Sequence, residues 1–418
     1  MMNLKNTLTL PLLMALLLWA GFGSAYAKER RYVISDYQAV GDSSTVNTLA
    51  IQAIIDQCAA EGGGVVVVPK GIFLTGALFF KQGVNLYLEE GAVLRGTTRQ
   101  EDYPQIQTRW EGTEREWTSA MINFIDCEGV TVSGKGTING SGDLWVAQAA
   151  RQTVRPAVYV GRPRLICFQN CRNVTIRDIT LRNQAVWCLH ILYSSKVKVL
   201  NLNITAPHNI PSSDGIDIDS SRDVLVSGCS IDVNDDCISI KAGKDADGIR
   251  VNRPSEHILI KNCFFGYGHG GVAMGSETSG SIRNVMIRDC IVDAGNWAPI
   301  RFKTQPSRSG VVEKVTFKNI EIRDASQAFE FQMEWRMINV LPPAEILPVF
   351  RDITLINVSG KATSAGIIHG LKDSPVRNVT FKKCVLTATK GLIIENAENI
   401  RTDGLKLTVE NGEPFIRR

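Results

Sequence analysis

The sequence has few aromatic residues and no excess of charge of either sign. Phe, Trp and Tyr make up 7% of its 418 residues, and 46 basic side chains against 42 acidic ones give a net charge of +4. No run of Arg and Lys interleaved with aromatic residues occurs, so we predict no nucleic-acid-binding surface. Hydrophobic residues at 44% and charged residues at 21% are ordinary proportions for a globular protein. They exclude a disordered chain and a polytopic membrane protein.

Long apolar runs are absent except at the N terminus. Lys5 is the only charged residue before Lys28, and the apolar run Leu10–Trp19 is followed by the small residues of Ala25-Tyr-Ala27. The run is shorter than the roughly 20 residues that span a membrane, and the small residues match a signal peptidase site. We therefore expect a signal peptide over residues 1–27, cleaved after Ala27, and a periplasmic or secreted protein that is not attached to a membrane.

Glycine is abundant, at 36 residues, and a short pattern repeats along the chain. Each repeat has Asn or Asp, alternating apolar residues, a turn and a second apolar stretch. The first apolar residues of the repeats are Val174, Val197, Val224, Ile258, Val285, Val315, Ile353, Val379 and Ile400. Short alternating stretches with little helical periodicity predict an all-β, single-domain, right-handed parallel β-helix over residues 28–418, with coils about 4.8 Å apart.

One segment with helical periodicity is predicted to cap the N-terminal end of this solenoid. It covers residues 44–61, and Gly62-Gly-Gly64 ends it. We assign residues 28–100 to this cap and the first coils. A separate N-terminal domain is the alternative, but no linker sets the helix apart from the repeats. The predicted apolar face consists of Val46, Ala50, Ala53, Ile54 and Cys58.

Ten cysteines in an exported protein suggest a disulfide framework, but their positions favour another interpretation. Four of them occupy a repeat position that is Ile, Leu or Val elsewhere, and we predict that these are free core residues. For Cys167 and Cys171, a mutual disulfide and two free thiols remain alternatives. No Cys or His residues occur at metal-ligand spacing, so we expect no metal. The four core cysteines are Cys229, Cys263, Cys290 and Cys384.

Three carboxylates are predicted to stand together on the outside of the solenoid. Asp214-Gly-Ile-Asp-Ile-Asp219 aligns with Asp236-Cys-Ile-Ser-Ile-Lys241 at a shift of one coil. This alignment stacks Asp214 on Asp236, with Asp235 beside them. Stacked like charges repel, so at least one carboxyl should have a raised pKa and stay protonated near neutrality. A protonated acid beside an ionised carboxylate suits the hydrolysis of a glycosidic bond.

Basic side chains of the next two coils are predicted to join the carboxylates. His269 aligns with Asp235, and Arg301 and Lys303 alternate outward one coil further. The two cations suit a substrate that carries carboxylates of its own. Other acidic residues nearby are interpreted as turn residues, because Asp satisfies backbone groups in turns. They are Asp217, Asp219, Asp223 and Asp232.

The remaining histidines and neighbours of the cluster are interpreted less directly. His257 takes a turn position that is Asn in other repeats. His190 and His208 either line a substrate subsite or are ordinary residues of the stack. We include His190, with Trp187 and Lys241, among the candidate substrate-binding residues.

Four motifs resemble, in order and spacing, those of the polygalacturonase family of pectin hydrolases, glycoside hydrolase family 28. The resemblance extends over most of the mature chain and implies an inverting hydrolase of galacturonosyl linkages that uses no cofactor. Coils about 4.8 Å apart place the carboxylates closer than the roughly 6.5–9.5 Å of inverting enzymes, so spacing alone favours retention. The motifs are Ser213-Asp214-Gly215, Asn234-Asp235-Asp236-Cys237, Gly268-His269-Gly270 and Arg301-Phe302-Lys303.

The same resemblance implies a role for each residue of the cluster. Asp235 would be the general acid, and His269 would tune its protonation. Asp214 and Asp236 would hold and activate the water molecule. The uronate carboxylate at the cleavage point would bind to two cations, Arg301 and Lys303.

Two insertions in the repeat pattern favour action on chain ends. One contains Phe329–Trp335 and Pro342-Pro343, and the other contains Trp110–Gly112 and Trp117. Loops of this size can close one end of a groove. We therefore predict a monomeric, exo-acting polygalacturonase with a pectic substrate. A rhamnogalacturonan hydrolase or galacturonidase of the same family is the alternative. Two further alternatives belong to other functional classes, namely a calcium-dependent pectate lyase and a non-catalytic glycan-binding β-helix.

Overall fold

The computed structural model describes residues 30–150, 161–293, 295–336 and 341–418. The predicted signal peptide and its cleavage site lie outside these residues. All but two of the strands belong to one sheet, in which neighbouring strands are parallel and successive coils stack into a right-handed β-helix. The predicted fold is confirmed. No helix among the described residues is long and apolar enough to cross a membrane.

Three ladders of parallel strands run along the solenoid. The first ladder contains Arg31–Val33, Gly64–Val68, Val84–Leu88, Thr131–Gly134, Arg172–Arg177, Ser195–Leu200, Arg222–Ser227, Ser255–Lys261, Val376–Lys382 and Ala397–Arg401. The second contains Asp42–Val46, Gly71–Thr75, Ala92–Gly96, Thr137–Asn139, Thr180–Arg182, Asn203–Thr205, Ser230–Asp232 and Phe264–Phe265. The third contains Leu78–Phe80, Ile122–Ile125, Ile166–Gln169, Leu189–Leu192, Ile216–Asp219, Asp236–Lys241, Gly268–Met274 and Asn296–Lys303. Five long strands pass through more than one ladder: Ile282–Val292, Val311–Gln332, Val349–His369, Cys384–Glu395 and Leu405–Arg417.

Strand register in the first ladder confirms the repeat pattern. The nine residues that begin the repeats pair in succession, from Val174 opposite Val197 to Val379 opposite Ile400. The residue before each of them is left-handed, with φ between 52° and 57°. Asn and Asp tolerate this conformation better than other residues with a Cβ, which explains their recurrence there. His257 holds one of these positions and is exposed as predicted, but it lies within the strand Ser255–Lys261 and not in a turn.

The inward-facing residues form one continuous hydrophobic core that includes nine of the ten cysteines, whereas Cys167 is buried outside it, next to Arg164 and His190. Cys167 and Cys171 are buried free thiols, so they form no disulfide with each other. Cys263 and Cys290 stack in adjacent coils, and each thiol donates to a backbone carbonyl 3.2 Å away. This donation to the backbone satisfies both S–H groups. The prediction for the four core cysteines is confirmed.

The N-terminal helix is shorter than predicted and buries a different face. It spans Thr48–Ala60, because Asp42–Val46 forms a strand that pairs with Gly71–Thr75. Val46 and Ala53 are exposed rather than on the buried face. The side chains that enter the core are Ile51, Ile54, Ile55 and Cys58.

This helix covers the open edge of the third ladder. Gln52 bonds both backbone groups of Phe79, since the Phe79 N–H donates to Oε1 and Gln52 Nε2 donates to the Phe79 carbonyl, each at 2.9 Å. The side chain thus replaces the strand that a further coil would supply and protects the edge from pairing with another chain. The predicted capping role is confirmed. The other helices are Gly142–Ala150, Asp245–Val251 and the 3₁₀ turns Ile34–Tyr37 and Gln100–Asp102.

Candidate active site

A cleft of about 290 Å³ opens over the third ladder, where its strands end against loops. All the predicted site residues line it except Asp236, which lies behind the surface, and His190. The lining residues are Glu111, Trp187, Ser212, Asp214, Asp235, Lys241, His269, Ser276, Glu277, Arg301, Lys303 and Trp335.

Strand register places the motifs next to one another as the alignment predicted. Asp217 pairs with Ser239, and Asp236 pairs with Gly270 one coil further. His269 therefore lies opposite Asp235. A Cβ at Gly270 would lie 2.7 Å from Asp236 Oδ1, so only glycine leaves room for that carboxylate.

The three carboxylates converge at one point. One oxygen from each of Asp214, Asp235 and Asp236 lies within 4.8 Å of the others. Because a hydrogen bond between two oxygens is about 2.8 Å long, a single water molecule can bridge a pair at this separation. Asp235 Oδ1 also accepts the backbone N–H of Asp236 at 2.9 Å, which fixes its orientation.

Two buried cations hold Asp236. Lys303 Nζ donates to Oδ2 at 2.6 Å, and Arg301 donates to Oδ1 at 3.2 Å. Burial opposes ionisation of Asp236, but Lys303 and Arg301 outweigh it and lower its pKa. Arg301 is itself held by Glu330, whose Oε2 accepts its Nε–H at 2.5 Å. Asp236 is therefore an ionised carboxylate.

Asp235 forms a second pair, with the imidazole of His269. Nδ1 lies 3.3 Å from Oδ1. Burial works against the charge on Asp235, but the hydrogen bond from His269 and the charge of Lys303 lower the pKa of the carboxyl. The same hydrogen bond raises the pKa of His269. The pair holds one proton between its two groups, and in the empty cleft that proton is on the imidazole.

Asp214 is the carboxyl with the raised pKa. Burial and the nearby charges of Asp217 and Asp235 raise its pKa well above the usual range, against the opposing charge of Lys241. The sequence predicted that at least one carboxyl of the cluster would be protonated. In the structure this carboxyl is Asp214, whereas the family resemblance gives the acid role to Asp235.

Lys241 stands at one end of the cleft among three acids. Its Nζ lies 3.9 Å from Asp214, 3.5 Å from Asp217 and 3.8 Å from Glu277. The ammonium also lies 4.6 Å from the centre of the Trp187 ring, at cation–π distance. Burial opposes the charge on Lys241, but the three acids outweigh it and raise its pKa. Lys241 and Trp187 both line the cleft, so a substrate can contact them.

Two of the presumed turn residues are part of this buried region, so their interpretation was wrong. Asp217 and Asp219 are fully buried on the strand Ile216–Asp219. Burial raises the pKa of Asp217 to about 8. Asp219 accepts a hydrogen bond at 2.8 Å from Arg109, which is fully buried as well. In sequence, alternating Asp residues of a buried strand look like the Asp residues of a turn. Only the contact with Arg109, which lies in a distant insertion, identifies Asp219 as a buried strand residue.

His190 was also placed wrongly among the substrate-binding residues. It is fully buried and does not line the cleft. Its Nδ1 lies 2.7 Å from Arg164, and its Nε2 lies 3.5 Å from Asp219. Burial lowers the pKa of His190 to about 4, so it is neutral. It packs edge-on against Trp187 and supports that wall of the cleft from behind.

The two insertions contribute walls of the cleft. The first forms an antiparallel hairpin, Gln105–Trp110 with Thr113–Thr118, whose Trp110 ring lies 4.7 Å from that of Trp187. Its tip is fixed by the Lys244 N–H, which donates to the Gly112 carbonyl at 2.9 Å. The second places Trp335 with its ring 4.7 Å from the Arg301 guanidinium.

Several cleft residues escaped the sequence analysis. Glu277 and Ser276 belong to no motif and carry no periodic signal. Trp335 and Glu111 were noticed only as parts of insertions. The sequence offers one hint for Glu277, which is its position shortly after a strand that carries a motif. Many charged surface residues have such a position, so the hint does not distinguish Glu277 from them.

The carboxylate cluster has the oxygen ligands that a divalent cation prefers. However, both oxygens of Asp236 are already bound to Arg301 and Lys303, and Asp235 is paired with His269. The negative charge is therefore balanced by the protein's own side chains. This donor set fits a water molecule better than a metal ion.

Proteins similar to this chain in sequence and in structure include named polygalacturonases. The chain is 29% identical over 373 residues to an exo-poly-alpha-D-galacturonosidase of Dickeya chrysanthemi, covering 78% of this chain and 61% of that protein. It is 29% identical over 354 residues to a probable polygalacturonase of Vitis vinifera, covering 79% of this chain and 70% of that protein. The crystal structure of an exopolygalacturonase from Thermotoga maritima superposes with a TM-score of 0.76 at 27% identity, over 93% of this chain and 92% of that one.

The family assignment rests on most of the chain. The model of glycosyl hydrolases family 28 matches residues 58–404, which include the four motifs and both insertions. Fold, site geometry and sequence agree on this point: the chain belongs to glycosyl hydrolases family 28 and is a glycoside hydrolase.

Proposed function

We propose that this protein is an exo-acting polygalacturonase that releases galacturonate from the ends of pectic chains with inversion of configuration. One observation carries the proposal: three converging carboxylates have an imidazole on one member and two cations on another, within a single cleft. The acids suit glycosidic hydrolysis, and the cations suit a substrate built of uronates.

Asp235 is the proposed general acid. In the empty cleft, its pair with His269 is ionic, with the proton on the imidazole. A bound sugar removes water from this half-exposed pair, and loss of solvent favours the neutral form over the ion pair. The proton then resides on Asp235, which donates it to the glycosidic oxygen as the bond to the anomeric carbon breaks.

Asp236 and Asp214 divide the handling of water between them. Asp236, ionised through Lys303 and Arg301, accepts a proton from the water molecule as its oxygen attacks the anomeric carbon. Asp214, protonated, orients the same water by hydrogen bonding. The roles thus follow from the opposite pKa shifts of two neighbouring carboxyls.

The uronate carboxylate binds next to Arg301 and Lys303. Both cations line the cleft while they hold Asp236, so they can bind a substrate carboxylate on their open side. Trp335 lies over the same two side chains and supplies an apolar face for the sugar ring. Arg offers a planar, bidentate donor set for a carboxylate, which neutral sugars cannot use.

Exo action is supported by the hairpin at the Lys241 end of the cleft. Its tip residue Glu111 lines the cleft, and Gly112 is tied to Lys244. A wall at this position stops a polymer from threading through and leaves room for a chain end. The named activities of the Dickeya and Thermotoga relatives agree with this mode. We also propose that the enzyme acts outside the cytoplasm, as the signal-peptide prediction requires.

The test is product analysis of the purified mature protein on polygalacturonate and rhamnogalacturonan, with and without chelator. Monogalacturonate from polygalacturonate, insensitive to chelator, is the expected result. Asp235→Asn should abolish it. Asp223→Asn, at an exposed position of the strand Arg222–Ser227, is the matched control and should leave it unchanged.

Other products would contradict parts of the proposal in distinct ways. A ladder of oligomers would contradict exo action and leave the hydrolytic mechanism intact. Turnover of rhamnogalacturonan alone would replace the substrate. Unsaturated, chelator-sensitive products would indicate a lyase. No product from either polymer would contradict the enzymatic function on pectin.

A further inference from the structure

The ammonium of Lys241 is surrounded by acids without being hydrogen-bonded to any of the three. The distances to Asp214, Asp217 and Glu277 are 3.5–3.9 Å, beyond the usual range of about 2.7–3.2 Å. Oε2 of Glu277 is buried without a hydrogen-bond partner among the described residues. Buried polar atoms are nearly always satisfied, so this group is incomplete as it stands.

We propose that Lys241 and Glu277 form a pocket for the hydroxyl groups of the non-reducing terminal sugar, with Asp217 holding Lys241 in position. The proposal rests on the proposed exo-polygalacturonase function and names the residues that recognise the chain end. Lys241 and Glu277 line the cleft and can touch the sugar, whereas Asp217 lies behind them.

The position of the pocket follows from Asp214, which belongs to both clusters. Asp214 lies 3.9 Å from Lys241 and within 4.8 Å of Asp235 and Asp236. A sugar whose anomeric carbon faces the water at Asp214 must therefore lie against Lys241. That sugar is the one released by an exo-acting enzyme.

The tip of the hairpin packs directly against this pocket. A Cβ on Gly112 would lie 3.0 Å from Glu277 Cγ and 2.5 Å from Lys244 Cβ, so the tip is in close contact with the pocket. The non-reducing end of the bound sugar consequently faces Glu277 and Lys241 rather than solvent.

The chemistry of the pocket favours hydroxyl groups over a carboxylate. A carboxylate placed here would compete with Asp214, Asp217 and Glu277 for a single ammonium, which leaves it without a cation of its own. A hydroxyl group can accept from Lys241 and donate to Glu277 at the same time, and this satisfies both. The Trp187 ring, 4.6 Å from Lys241 Nζ, adds an apolar face for the ring hydrogens. The uronate carboxylate at the cleavage point binds to Arg301 and Lys303 instead.

Unsaturated oligogalacturonates provide the probe, because their non-reducing terminal sugar lacks the 4-hydroxyl group. We would measure kcat/KM on saturated and on 4,5-unsaturated trigalacturonate. The wild type should prefer the saturated substrate by about 100-fold, since a site built for a hydroxyl is left unpaired by the analogue. Glu277→Ala should reduce this preference at least about 10-fold, mainly by slowing the saturated substrate.

Control variants distinguish loss of hydroxyl recognition from misfolding and from loss of hydrolysis. Glu277→Gln keeps the size of the side chain and should lose part of the preference, and the exposed hairpin variant Glu116→Ala should lose none. Equal rates on both substrates in the wild type, or an unchanged ratio in Glu277→Ala, would overturn the pocket while galacturonate release still supported the enzyme. Absence of galacturonate release from the saturated substrate would contradict the proposed function and the pocket together.

Discussion

Lys303 donates a hydrogen bond of 2.6 Å to Asp236, a carboxylate that the proposed mechanism uses to activate water. The family resemblance implies that Lys303 binds the substrate carboxylate, but Lys303 already holds Asp236 before any substrate binds. Arg301 makes a second contact to the same group at 3.2 Å. Substrate binding and ionisation of the base are therefore coupled through these two side chains.

Replacing Lys303 with Met should impair both functions. Since Lys303 and Arg301 lower the pKa of Asp236, loss of Lys303 raises it, and the base becomes protonated over a wider acidic range. We expect kcat/KM on trigalacturonate to fall about 100-fold or more, since truncating one partner of a buried charge pair costs 2–5 kcal/mol. The acidic limb of the pH profile should move to higher pH. Lys198→Met, at an exposed strand position, is the control. An unshifted acidic limb would contradict the coupling.

His269 should set the basic limb of the same profile. The hydrogen bond to Asp235 raises its pKa above the ordinary value of about 6.5, so the pair keeps its proton to higher pH than a free imidazole and loses it as pH rises through the folded pKa. In His269→Gln, only Asp235 remains to hold the proton. We expect kcat to fall about 100-fold or more and the basic limb to move to lower pH. His257→Gln is the control, since His257 is an exposed residue of the strand Ser255–Lys261. A basic limb at the wild-type position would show that His269 does not share the proton.

The stereochemical outcome tests the carboxylate geometry. The nearest oxygens of the three carboxylates lie within 4.8 Å of one another, so one water molecule can bridge two of them. Inversion requires such a water molecule, although the two carboxyl groups of inverting enzymes are usually about 6.5–9.5 Å apart. We expect the first-formed galacturonate to have the anomeric configuration opposite to that of the substrate. Proton NMR during the first minutes of hydrolysis, before mutarotation, measures it. The retained anomer as first product would mean that one of the carboxylates acts as a nucleophile.

The fully buried pair of Arg109 and Asp219 should matter for stability. Its N–O distance is 2.8 Å, and neither side chain is exposed. Arg109→Met would leave the charge of Asp219 buried and unpaired, which costs about 3–5 kcal/mol of unfolding free energy. The double variant with Asp219→Asn should recover part of this loss, because it removes the orphaned charge. Chemical denaturation of the single and double variants measures both effects. A loss below about 1 kcal/mol, the scale of an exposed pair, would contradict them.

The sequence by itself determined the solenoid. Each coil is encoded locally, with an Asn or Asp in the left-handed position followed by alternating apolar residues, so Val174 and its equivalents could be aligned without any distant contact. The same local pattern identified the core cysteines. The four motifs lie on strands of that pattern, which is why the register of Asp214, Asp236 and His269 was also predictable.

Only the tertiary structure decided which residues outside the motifs reach the cleft. Arg109 meets Asp219 across 110 positions of the chain, and Glu277 and Trp335 enter from loops whose lengths follow no period. His190 was misplaced because burial behind a wall leaves no mark in the sequence. The location of the shared protons was likewise undetermined, since each pKa is the sum of burial and several charges. These quantities depend on the separation of side chains in space, which the order of residues does not specify.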